Sequence, residues 1–169
     1  IAGLTESSPE GLVVLGATRL GPEDPTISKV INCARYAVGI PRSALVEHGG
    51  AAWLDSEVRD FLRSTSRVVV RRIEGVGKKV DVREYIKHIE MDTDAAHAAI
   101  RSAGFVGDLV PLLVDIEIRG SGSAKISEVV EVLATRLATE RNIPVADLFP
   151  FRSVRVSLGL RAEDGTWIM

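Results

Sequence analysis

The chain has 169 residues, 46% of them hydrophobic and 26% charged, which leaves room for one folded domain or two small units and is the composition of a globular rather than a disordered protein. A formal net charge of -2 supplies no global field toward nucleic acid or an anionic membrane, so any anion recognition must come from a local patch. Cys33 is the single cysteine, so an intrachain disulfide is impossible, and no apolar run reaches bilayer length; the expectation is a cytoplasmic protein without membrane contact.

The opening residues have no initiator Met and no basic start followed by an apolar segment, as expected of a piece of a longer polypeptide without a signal peptide. Leu12 to Leu20 reads as a strand, broken by Gly21-Pro22-Glu23-Asp24-Pro25. Thr26 or Ser28 can cap a short helix running to about Ala34, and Arg35 to Ile40 reads as a second strand stopped by Pro41. Over 51–64, Trp53, Leu54, Val58, Phe61 and Leu62 recur at helical spacing with charged residues on the other faces.

Arg67 to Glu74 is rich in β-branched residues, Gly75-Val76-Gly77 permits a reversal, and Lys78 to Ile86 runs back as a shorter strand or loop. A short helix is expected over Asp92 to Ala103, capped by Thr93 or Asp94 and stopped before Gly104. Leu112 to Arg119 alternates as a half-buried strand, with Asp115, Glu117 and Arg119 on the polar side. A helix follows from Ile126 to about Arg141, and Val154, Val156, Leu158 and Leu160 mark a last strand.

From Arg35 onward the order is strand, helix, strand, connecting region, strand, helix, strand. This predicts an α+β fold of the ferredoxin-like split βαβ type, an antiparallel sheet with helices on one face, plus an extra N-terminal strand. The expected division is 1–34, a strand and short helix left from a preceding unit, and 35–169, the ferredoxin-like domain. The 12–20 strand either adds to the sheet or pairs with another chain.

Four segments, in order over about residues 8–130, carry a family resemblance. They are Pro9-Glu10-Gly11-Leu12 before a strand; Pro25-Thr26-Ile27-Ser28 leading to Ala34-Arg35-Tyr36-Ala37-Val38; Lys78-Lys79-Val80-Asp81-Val82-Arg83-Glu84-Tyr85-Ile86; and Gly122-Ser123-Ala124-Lys125-Ile126-Ser127-Glu128-Val129-Val130. The chain thereby resembles a domain of unknown function found at the C-terminus of large radical SAM proteins or encoded beside them. In the last segment Lys125 and Ile126 stand where that family has Arg-Pro, which removes a bidentate anion ligand. The family's other half, with a Ser-His-Leu-Asp segment and a Gly-Phe-Asn-Pro-His-Pro loop, is not in this sequence.

The resemblance implies an accessory substrate-recognition domain, not catalytic by itself, that partners a radical SAM domain in cis or in trans. An iron-sulfur cluster and S-adenosylmethionine are implied only for that associated domain. Three cysteine ligands hold such a cluster, and Cys33 stands alone, more readily a small buried hydrophobe than a reactive thiol.

RNA is a candidate ligand by resemblance and fold analogy. Arg71, Arg72, Lys78, Lys79 and Arg83 flank one reversal and can project from one edge toward phosphates, with Tyr85 able to stack on a base. A solvated hairpin with aggregation-deterring lysines accounts for the same residues, and Glu74, Asp81 and Glu84 dilute the charge. Gly120, Ser121, Gly122 and Ser123 lead from a strand into a helix, where backbone N–H groups can meet an anion with help from Lys125; a plain flexible turn is the competing reading. With aromatic residues at 5%, the paired stacking aromatics of an RNA-recognition motif are missing.

His88, Glu90, Asp92, Asp94 and His97 have metal-ligand types but no known metal spacing. His48 lacks a nucleophile partner, no serine sits in a Gly-x-Ser-x-Gly elbow, and Arg152 and Arg155 read as solvent-facing. An independent hydrolase or transferase thus has no acid–base pair behind it. The alternative to substrate recognition is a protein-interaction or oligomerisation module, with a homodimer formed through the 12–20 strand.

Overall fold

The computed structural model describes residues 19, 21–23, 30–141, 150–162 and 164–168. The chain divides into two compact units, Ile1–Val30 and Ile31–Met169. In the first, Gly21, Pro22 and Glu23 form an exposed turn; of the expected 12–20 strand only Arg19 is described, exposed and in neither strand nor helix, and the start of the following helix lies outside the described residues. The expected helix does not continue to Ala34, because Cys33 and Ala34 already pair with Glu117 and Ile116 in a sheet.

The second unit runs β1 (Cys33–Pro41), α1 (Arg42–Leu45), a 3-10 turn (Val46–His48), α2 (Gly50–Arg63), β2 (Val68–Ile73) and β3 (Val76–Asp81). A second 3-10 turn (Val82–Tyr85), β4 (Ile86–Met91), α3 (Asp94–Ser102), β5 (Leu109–Glu117), α4 (Ile126–Arg141), β6 (Arg152–Arg161) and β7 (Trp167–Ile168) follow. The main sheet has the order β4-β5-β1-β6, antiparallel throughout, and β7 extends it over the last two residues of β6. The fold is α+β. Taking β1, α2, β4, β5, α4 and β6 in turn gives strand order 4-1-3-2, the split βαβ arrangement.

The strand that completes this sheet differs from the sequence expectation. Residues 67–74 do not join it; β2 pairs only with β3, in a separate two-stranded sheet. The place is taken by β4, within the region read as a connection. Its apolar signal is weak because a bulge between Ile86 and His88 interrupts the alternation. Ile86 and Ile89 are nevertheless buried in the core, whereas Val68 and Val70 of β2 face solvent at 54% and 62% exposure.

One sheet face meets α2 and α4. Val38, Ile40, Leu112, Val114 and Ile116 pack there against Leu54, Val58 and Phe61 of α2 and Val129, Val130 and Leu133 of α4. The other face is partly covered by the third helix, α3, whose Ala96 and Ile100 sit on Ala37, Leu109 and Leu113. Thr93 caps α3 as the sequence predicts, its hydroxyl accepting from the Ala96 N–H at 3.2 Å.

Burial on both faces makes β5 a continuous apolar run rather than a half-solvated strand. Asp115, expected on a wet side, is therefore 1% exposed. It is held there by arginines from β1 and β6.

If β4 rather than β2 completes the sheet, Ile89→Ala costs about 2–4 kcal/mol, while Val70→Ala costs less than about 1 kcal/mol. Urea unfolding of both variants checks this; equal losses would put Val70 in the core.

Candidate functional site

The β2–β3 hairpin turns on two residues, Glu74 and Gly75, with φ of 50° and 84°, the conformation whose twist matches a tight hairpin. Register then fixes which side chains share a face. Arg71 lies opposite Lys78, and Val70 opposite Lys79. Val69 and Val80 are buried on the Arg71 side, so that side faces the body of the unit and Arg72 and Lys79 share the other. The five cations of the sequence motif thus do not form one row.

Arg71 is committed internally. Its Nε and Nη2 donate to the two carboxylate oxygens of Glu128 at 2.6 and 2.7 Å, and Nη2 also reaches the Ser123 carbonyl at 2.8 Å. Glu128 is the third residue of α4 and accepts the Lys125 backbone N–H at 2.8 Å, half of a capping box. The helix N-terminus, read from the sequence as an anion site, is thereby filled by the chain's own carboxylate. The Gly122 N–H is also taken, by the Arg119 carbonyl at 3.0 Å.

Arg83 likewise serves the fold. It donates to the carbonyls of Ile86 at 3.0 Å and Leu62 at 3.1 Å, with its guanidinium 5.9 Å from the Phe61 ring centre. The Tyr85 ring is partnered by the Arg119 guanidinium at 5.2 Å. Arg72, Lys78, Lys79 and Lys125 are exposed and make no side-chain ion pair or hydrogen bond among the described residues.

Two motifs read separately from the sequence converge here. The hairpin and the Ser121–Ser123 loop line one groove of about 350 Å³, walled by Arg71, Lys78, Lys79 and Tyr85 on one side and by Ser121, Gly122 and Ser123 on the other. Gly120 and Lys125 adjoin that loop in sequence but are not among the groove's walls. The acids of the groove are occupied: Asp81 accepts the Arg67 and Arg83 backbone N–H groups at 2.8 and 3.1 Å, and Glu84 lies 3.7 Å from Arg119. Glu128 and Arg119 were not among the sequence candidates. A Glu three residues beyond the Lys125 cap position was the available signal for the first; nothing local marks the second.

The metal-type residues separate into pairs, His88 with Glu90 at 3.1 Å and His97 with Asp92 at 2.9 Å. Among the described residues no group of three His, Cys, Asp or Glu side chains can hold a metal ion. Cys33 is buried, and burial, followed by the charge of Asp115, pushes its thiol up to about 11, so it stays protonated and unreactive. His48 stacks obliquely near Trp53 at 5.9 Å, and Arg152 and Arg155 are exposed on β6.

Burial works to raise the Glu128 carboxyl, but hydrogen bonds from Arg71 and the Lys125 N–H outweigh it and hold the group below its ordinary 4.5. The pair's contribution to stability is therefore complete above pH 4.5 and is lost as pH falls from there through the folded-state value. The stability gap between the wild-type chain and Glu128→Gln should be widest near neutral pH and shrink below pH 4.5, as urea midpoints across a pH series would report.

No curated protein and no solved structure matches the chain. A family model does, over residues 1–137, a range that contains all four segments of the resemblance. The chain belongs to the bacterial family described as "Uncharacterized protein conserved in bacteria (DUF2344)".

Proposed function

We propose that the chain is a recognition module that grips an RNA substrate for a radical SAM enzyme, in cis or in trans, and does no chemistry itself. The observation that carries the reading is the groove between hairpin and loop, where Lys78 and Lys79 have no partner among the described residues while Asp81 and Glu84 are occupied. Free ammonium groups beside a polar loop suit phosphates, which attract point charges without demanding base contacts. Tyr85 adds an aromatic wall, although Arg119 already stacks on it.

The radical SAM association rests on the family resemblance. The residues present do not fit a cluster, since one buried cysteine cannot supply three thiolates. The division of labour that follows is positioning here and chemistry on the partner. Arg72 and Lys125, exposed outside the groove walls, would extend the track for a strand that leaves it.

Binding of a single-stranded RNA to the chain should weaken with salt. Lys78→Glu/Lys79→Glu should lower the slope of log K against log salt by about 1.4, two phosphate contacts at about 0.7 each. Salt-insensitive binding, absent binding, or an unchanged slope in the double variant would remove the RNA reading.

A further inference from the structure

On the sheet face opposite α2 and α4, register sets Arg35 of β1 beside Asp115 of β5. Both Asp115 oxygens accept from Arg35, at 2.6 Å from Nε and 2.8 Å from Nη2, and the Trp167 ring lies 5.1 Å from that guanidinium. Arg161 of β6 brings its Nε to 3.2 Å from Oδ2, a second ion pair on the same carboxylate, without hydrogen-bond geometry. That buried N–H finds no acceptor among the described residues.

Beside it opens a cavity of about 300 Å³ lined by Asn32, Cys33, Lys87, Glu117, Arg161 and Ala162. Its polar groups are unevenly committed. The Asn32 amide is locked to the Arg161 backbone, donating at 2.9 Å and accepting at 2.7 Å. Glu117 serves two cations, Lys87 at 3.1 Å on Oε1 and Arg119 at 2.6 Å on Oε2. Further out, Glu90 is engaged by His88 and Thr93, and Glu84 faces Arg119. The cavity wall is left with the Arg161 guanidinium, which shares Asp115 with Arg35, and the Lys87 ammonium, which shares Glu117 with Arg119, so that two carboxylates stand against four cations.

We propose that this cavity binds the oxyanion group of a small molecule, a phosphate or a carboxylate, between Arg161 and Lys87. A planar guanidinium edge supplies direction and an ammonium supplies charge, the pairing suited to such a group. The site is independent of the RNA groove, although Arg119 touches both, pairing Glu117 of the cavity and stacking on Tyr85 of the groove.

The test titrates inorganic phosphate and, separately, malonate into the chain at constant ionic strength, following the thermal midpoint and the amide resonances. At least one probe should give a saturable shift. Lys87→Gln, at an exposed position, should weaken binding about tenfold, the value of one charge-assisted hydrogen bond, as should Arg161→Lys, which keeps the charge and loses the fork. Lys78→Glu/Lys79→Glu should leave it unchanged, which separates this site from the groove. No saturable response to either probe, equal affinity in Lys87→Gln and the wild-type chain, or loss of binding in the hairpin variant would overturn the proposal.

Discussion

The bidentate pair of Arg71 with Glu128 joins two parts of the chain 57 residues apart, the inserted hairpin and the start of α4. Glu128 is 8% exposed and Arg71 18%, so neither group is well hydrated and each needs the other. A buried pair of this kind adds little net stability against an apolar replacement, yet it restricts geometry severely, because either partner alone is costly. Here it fixes the start of the helix, orients the loop through the Ser123 carbonyl, and helps to set the hairpin beside that loop. Together with Val69 and Val80, buried in the core, this contact holds the hairpin wall of the groove.

Much of the fold follows from local periodicity. The stripe of Leu54, Val58 and Phe61 and the Thr93 cap are written into short windows, and the structure keeps them. The misreadings have a common origin. Val68, Val69 and Val70 carry a stronger β signal than Ile86 and Ile89, but β propensity does not reveal whether a strand is central or solvated. Asp115 alternates as a wet residue would, and its burial depends on Arg35, 80 residues away. The candidate site was legible as two basic or glycine-rich motifs; their meeting was not, since it depends on a long-range ion pair. Nor does counting charges show which cations the fold consumes.

Arg35, Arg71, Arg83 and Arg119 turn donors onto carbonyls, carboxylates or rings within the fold, while Lys78, Lys79 and Lys125 stand in solvent. Arginine suits the first role because its planar fork satisfies several acceptors at once; lysine suits the second because its hydration is strong and its stem mobile. Arg72, Arg152 and Arg155 are arginines left exposed, the first at the hairpin end. Among the described residues, the charged side chains buried most fully are acids, Glu57, Asp115 and Glu128, and the last two are each held by arginine.

The base of the hairpin closes on itself, with the Val82 N–H donating to the Arg67 carbonyl at 2.8 Å. A finger pinched at its root is topologically a detour: chain leaves and re-enters the body at nearly one point. Lengthening or trimming the segment beyond Arg71 and Lys78 then changes little in closure entropy and nothing in the sheet beneath. The finger's length is thereby decoupled from the body that carries it.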